Sequence, residues 1–264
     1  MLDARMPQRD GLTVDGISIN TFSMRDAIDS IVEAALAGDT FSVCTLNLDH
    51  VDKLDKQPEF LSAYRRARFV TADGFPIVIL GRLSGAPIER TTGADLVHPL
   101  CAEAGRNGLP VYLFGSNKLT LHRAARRLAR RYPGLQIVGS HSPGPTFDPH
   151  SDEANDAIER IRASGARLCF VALGAPRQEI FAARCLDQLP STGLLCIGAA
   201  LDFIANTQNR APRFTQKTGL EWAWRMMRDP QRLGPRYARC AAVVPKLAIR
   251  SLLQIIHARR RKSA

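Results

Sequence analysis

The chain has 264 residues, 45% of them hydrophobic and 23% charged, enough apolar material for one large domain or a domain with an appendage. No apolar run reaches the roughly 18 residues of a membrane span, Met1–Arg5 lacks the basic-then-apolar order of a signal peptide, and the six cysteines form no CxxC pair, which argues against a disulfide scaffold or zinc site and for a reducing cytoplasm. The net charge of +11 is uneven: residues 206–264 hold 14 Lys/Arg against Glu221 and Asp229, a balance of +12, and the other 205 residues hold 22 basic against 23 acidic groups. An anionic partner for the tail is expected, with nucleic acid, a membrane surface and a phosphorylated ligand all qualifying.

In chain order, residues 13–21 read as a short extended segment around Asp15-Gly16, followed by a helix from about Arg25 to Leu36. Strand-like apolar runs then appear at 41–46, 68–72, 110–114, 135–139, 168–173 and 194–198. Helical stretches at 57–66, 94–106, 117–131 and 152–164 alternate with them. This pattern predicts an α/β fold: a Rossmann-like, mostly parallel sheet of about six strands with helices on both faces. A basic helical appendage follows, with the boundary at 205/206. Within it Arg225, Arg228, Arg232 and Arg236 fall at helical spacing, interrupted by Pro230 and Pro235. From Pro245 the chain is amphipathic, with Ala248, Ile249, Leu252, Leu253 and Ile256 on one face and a basic end at Arg259–Lys262, a pattern suited to an anionic bilayer surface.

Ligands of parallel sheets sit beyond the carboxyl ends of the strands, and several of these strands end in polar or glycine-rich turns. One ends Thr45-Leu46-Asn47, with a hydroxyl and an amide two residues apart. The next ends Asp73-Gly74, where the plain alternative is a turn or helix-capping aspartate. Others end at Gly115-Ser116-Asn117, at Gly174-Ala175-Pro176-Arg177-Gln178-Glu179 and at Gly198-Ala199-Ala200-Leu201-Asp202. Converging on one edge, they suit a nucleotide or nucleotide-sugar. The chain has no G-x-G-x-x-G, P-loop or D-x-D motif and no metal-ligand spacing among its histidines. Any departing diphosphate would then be met by arginines, whose planar fork matches phosphate oxygens.

Six ordered motifs carry a resemblance. Thr45-x-Asn47, Thr71-Ala72-Asp73-Gly74, Glu89-Arg90-x-x-Gly93, Gly174-x-Pro176-x-Gln178-Glu179, Arg210-Ala211-Pro212 and Gly219-Leu220-Glu221-Trp222-x-x-Arg225 are similar to those of the WecG/TagA/CpsF glycosyltransferases of bacterial surface-polysaccharide synthesis. Pro76 and Ala199-Ala200 stand where that family more often has glycine. The resemblance implies a metal-independent, inverting transfer from a UDP-sugar (N-acetylmannosamine, its uronic acid or glucose) to a polyprenyl-diphosphate-linked saccharide at the cytoplasmic membrane face. It implies no cofactor and no nucleic-acid partner, and it leaves homo-oligomerisation open. By resemblance Asp73 is the base, with Thr45, Asn47 and Gln178 lining its pocket. Arg90, Gly115, Gly174, Glu179, Asp202 and Arg210 would lie on the donor side. Arg225, Arg232 and Arg236 would fold over the departing UDP. Two competing functions are a nucleic-acid binder using the basic tail, and a nucleotide-sugar sensor that no longer catalyses.

Overall fold

A computed structural model describes residues 12–231 together with 233–235, 238, 240 and 241. Arg232, Arg236, Arg239 and the amphipathic stretch from Pro245 lie outside the described residues. The extended segment near the start is a hairpin: β1 (Thr13–Val14) pairs antiparallel with β2 (Ile17–Ser18). The two turn residues, Asp15 and Gly16, have φ of 49° and 78°, the left-handed backbone that a two-residue hairpin loop requires.

The order then runs α1 (Met24–Ala37), β3 (Phe41–Leu46), α2 (Leu48–Lys56), α3 (Pro58–Arg66), β4 (Phe69–Ala72), α4 (Phe75–Leu83), α5 (Gly93–Asn107), β5 (Val111–Gly115) and α6 (Lys118–Arg131). It continues with β6 (Ile137–His141), α7 (Asp152–Ala163), β7 (Leu168–Ala172), α8 (Arg177–Cys185), β8 (Gly193–Cys196), α9 (Ala200–Ala205), α10 (Arg213–Thr218) and α11 (Glu221–Arg228). Strands β3 to β8 form one sheet in the order β4-β3-β8-β7-β5-β6, every pairing parallel.

Alternation along each strand sends side chains to opposite faces, and each face has its own core. Cys44, Leu46, Val70, Ala72, Tyr112, Phe114 and Val171 pack under α2, α3, α4, α7 and α8. Phe41, Val43, Leu113, Phe170 and Leu195 pack under α1, α5, α6 and α9. Strands buried on both faces explain the unbroken apolar runs in the sequence. Aromatic contacts tighten the first core, where the Phe114 and Phe181 rings lie 4.6 Å apart and Phe147 meets both edge-on.

Two features differ from the expectation. The strand placed at 135–139 runs Ile137–His141, because β6 is a half-exposed edge strand whose register against β5 shifts between Val111 and Tyr112. Helices α2 and α4 were not expected. The first carries only a three-residue apolar stripe, Leu48, Val51 and Leu54, in a short and otherwise polar segment, and the second is apolar nearly all round and so shows no stripe.

The topology opens a crevice beyond the strand ends. After β3 the chain turns into α2 on one face, and after the neighbouring β8 it turns into α9 on the other. Adjacent strands whose connections leave to opposite faces leave a gap between them.

Candidate active site

Beside this crevice stands Asp73, one residue past β4. Its backbone N–H donates to the Leu46 carbonyl at 2.7 Å, which fixes it next to the end of β3. Gly74 then turns the chain with φ 103° and ψ 148°, a combination open essentially to glycine. Gly74, not Asp73, is the N-cap of α4, and no side-chain hydrogen bond caps that helix. The capping alternative for Asp73 is thereby removed.

Asp73 as a residue is half-buried, and its surroundings raise the pKa of its carboxyl from 3.8 to about 6. Desolvation is the leading cause; Arg90 and Arg225 pull the value down, and Glu221 and Asp95 push it up. Through Arg225 and Glu221 the region after residue 205 enters the electrostatic neighbourhood of Asp73.

How Arg90 gets there can be traced. The Thr71 hydroxyl donates to the Thr91 carbonyl at 2.7 Å, and the Thr91 N–H donates to Ala72 at 2.8 Å. The segment carrying Arg90 is thus laced to β4. Thr92 caps α5 by accepting from the Asp95 N–H at 3.1 Å, and its hydroxyl donates to Asp95 Oδ2 at 2.8 Å. Asp95 in turn holds two guanidinium groups, Arg90 at 3.3 Å and Arg210 at 2.6 Å. Glu221 pairs with Arg225 and lies 3.8 Å from Arg90. Phe203 supplies a ring 5.9 Å from the Arg210 guanidinium carbon and 5.8 Å from that of Arg225. Three arginines separated widely in sequence therefore share two carboxylates and one aromatic ring.

The tail reaches this point through a close contact. A Cβ on Gly219 would come within 2.7 Å of the Phe75 ring, so the turn between α10 and α11 sits directly on the residue following Gly74.

The remaining expected residues have distinct places. Thr45 is buried on β3 opposite Thr71, and its carbonyl accepts from the Tyr64 hydroxyl at 3.1 Å. That hydroxyl also meets His50 Nδ1 at 2.6 Å. Asn47 is the N-cap of α2: its Oδ1 accepts from the His50 N–H at 3.0 Å. Gln178, expected to face a ligand, is buried at 3% exposure. Its Oε1 accepts from the Gly198 N–H at 3.1 Å, and its Nε2 donates to Glu179 Oε1 at 2.8 Å. Glu179 is 1% exposed, its Oε2 has no partner among the described residues, and desolvation raises its pKa to about 7.

Asp202 likewise works inside the protein: its Oδ1 accepts from Ser116, Thr120 and Thr207 at 3.1, 3.3 and 3.2 Å. It binds the end of β5 to α9. Gly115 lets β5 approach the Ala172 carbonyl closer than any side chain would allow, whereas Gly174 borders open space. Arg232 and Arg236 lie outside the described residues.

Asp95, Phe203 and Tyr64 were not singled out from sequence. Only Asp95 left a local signal, the Thr92-x-x-Asp95 capping pattern at the start of α5. A comparison with known families places the chain against the model of the glycosyl transferase WecG/TagA/CpsF family over residues 12–261.

Proposed function

The chain belongs to the WecG/TagA/CpsF family of glycosyltransferases, enzymes of cell-surface polysaccharide synthesis, and from that premise we propose an inverting transfer of a sugar from UDP to a lipid-linked saccharide with Asp73 as the base. The observation that carries the assignment is a carboxylate at a strand end, free of any capping role, beside Arg90 and Arg225. In such a displacement the acceptor hydroxyl attacks the anomeric carbon as the bond to the nucleotide diphosphate breaks, and the hydroxyl proton passes to Asp73. A base with a pKa near 6 is deprotonated at neutral pH yet still basic enough to accept it.

Arg90, Arg210 and Arg225 are assigned to the departing diphosphate, because guanidinium groups match phosphate oxygens two at a time. Asp95 and Glu221 hold these arginines together before a ligand arrives. The Thr45 hydroxyl and the Asn47 Nδ2 are assigned to donor or acceptor hydroxyls. Gln178 is reassigned to supporting the Gly198 turn, with Glu179 behind it, since both ends of its amide are engaged within the protein. Residues 206–264 are read as an appendage that completes the site through Arg210 and Arg225, with Arg232 and Arg236 as further candidates, and that docks on an anionic membrane face. Among the described residues no helix is long and apolar enough to cross a membrane.

The test is a panel of UDP-sugars assayed for protection against thermal unfolding and for transfer, each in the presence of a chelator. One UDP-sugar is expected to protect the protein and to be consumed with chelator present. Failure of every UDP-sugar to protect it would overturn the donor assignment, and loss of turnover on chelation would overturn the arginine assignment.

A further inference from the structure

Helix α6 stands apart from the rest of the surface. Its 14 residues contain Lys118, Arg123, Arg126, Arg127, Arg130 and Arg131 and no Asp or Glu. A hollow of about 540 Å³ lies between α5, α6 and α9, lined among others by His98, Arg127, Arg130, Arg131, Phe203 and Asn206. Elsewhere Arg66, Arg68, Arg90, Arg106, Arg162, Arg210 and Arg225 each face a carboxylate. Among the described residues none pairs with the three arginines of the hollow.

Two of these arginines are held in place by neutral groups, which leaves their charge unspent. Arg127 Nη1 donates to the Ile204 carbonyl at 2.7 Å. Arg131 Nε donates to the Tyr132 hydroxyl at 3.3 Å, with its guanidinium over that ring at 5.9 Å. The same hydroxyl meets His98 Nδ1 at 3.1 Å. Three uncompensated guanidinium groups around one opening make a strongly positive potential that an anion would relieve.

The hollow adjoins the site already described. His98 lies three residues after Asp95 on α5, on the same side of the helix, and Phe203 lines the hollow while facing Arg210 and Arg225. We propose that the α5–α6–α9 hollow is a second anion site that takes a diphosphate group, separate from the leaving-group position assigned to Arg90, Arg210 and Arg225. Naming its source rests on the glycosyl-transfer reading, in which a donor and an acceptor each carry a diphosphate; the anion site itself does not. The imidazole of His98 supports the assignment: burial first, then Arg131 and Arg210, hold its pKa below 6.5.

The full chain supplies its own reporter, the His98 ring protons followed by NMR. Titration with inorganic diphosphate is expected to raise the His98 pKa, since an anion beside the ring favours its charged form. The Arg130→Gln/Arg131→Gln double variant, altered only at exposed positions, should bind diphosphate at least about tenfold more weakly. It should also show a raised His98 pKa before any ligand is added. A short-chain prenyl diphosphate that moves His98 where UDP does not identifies the acceptor as the source; the reverse result identifies the nucleotide. A wild-type His98 signal unmoved by inorganic diphosphate at millimolar concentration, or undiminished binding in the double variant, would overturn the proposal. Movement of His98 by inorganic diphosphate in a chain that no UDP-sugar protects would leave this site standing while the proposed donor falls.

Discussion

At the residue scale, the same polar groups serve structure and chemistry, and variants can separate the two. Asn47 caps α2 through Oδ1, so Asn47→Ala should cost about 1 kcal/mol of stability in a denaturant titration. Asn47→Ser restores a capping oxygen but not the amide. If Asn47 also orients a ligand, the Ser variant regains stability without regaining turnover; recovery of both would confine Asn47 to capping. Glu179 offers a cleaner electrostatic test, because its pKa is raised by desolvation to about 7 from 4.5. A group raised in the folded state contributes stability that is complete below its unfolded value and is lost as pH climbs through the folded one. Between pH 4.5 and 7 the wild type should therefore lose on the order of 3 kcal/mol at this position. Glu179→Gln, which keeps an oxygen for the Gln178 amide, should melt higher than wild type at pH 8 and lose that advantage near pH 4. An equal difference at both pH values would contradict the assignment.

Elements were legible in sequence where one signal dominated. Five of the six strand signals follow from burial on both faces, β6 being the half-exposed exception, and Ser23, Asn117 and Ser151 mark helix starts that the structure caps through their side chains. Helix α4 was invisible because Phe75–Leu83 is apolar nearly all round; Ile79 and Leu83 stay 51% and 66% exposed, and Arg82 is the one charge on that face. Asp73 was legible as a strand-end carboxylate, but Asp95 was not. Its partners Arg90 and Arg210 are 5 and 115 residues away, and ion pairing at that range leaves no periodic trace. The turn from α10 to α11 depends on Gly219, whose φ is 78° and whose missing side chain admits the Phe75 ring. Gly219→Val should therefore displace α11 from the Asp73 side. A red shift in Trp222 and Trp224 emission with reduced turnover is expected; unchanged emission and turnover would show that this contact does not seat the tail.

For the whole molecule, the charge census was correct but too coarse. Summed over residues 1–205 the balance is −1, which hides the six cations of α6 because acidic residues elsewhere offset them. Position in the fold, not the sum over a segment, decides where an anion meets positive charge. The tail nevertheless carries the long-range excess, and deletion of residues 206–264 should abolish both transfer and retention on anionic liposomes. A truncated body that transfers at the full rate would refute the part given to Arg210 and Arg225.

The central claim is that the Asp73 carboxylate takes the acceptor proton, and steady-state turnover of Asp73→Asn with the UDP-sugar that protects the wild type tests it most directly. A loss of at least about 100-fold with UDP affinity retained is the predicted result, alongside a wild-type rate that falls as pH drops below about 6. Turnover in the Asn variant equal to that of the wild type, with the same pH profile, would contradict it.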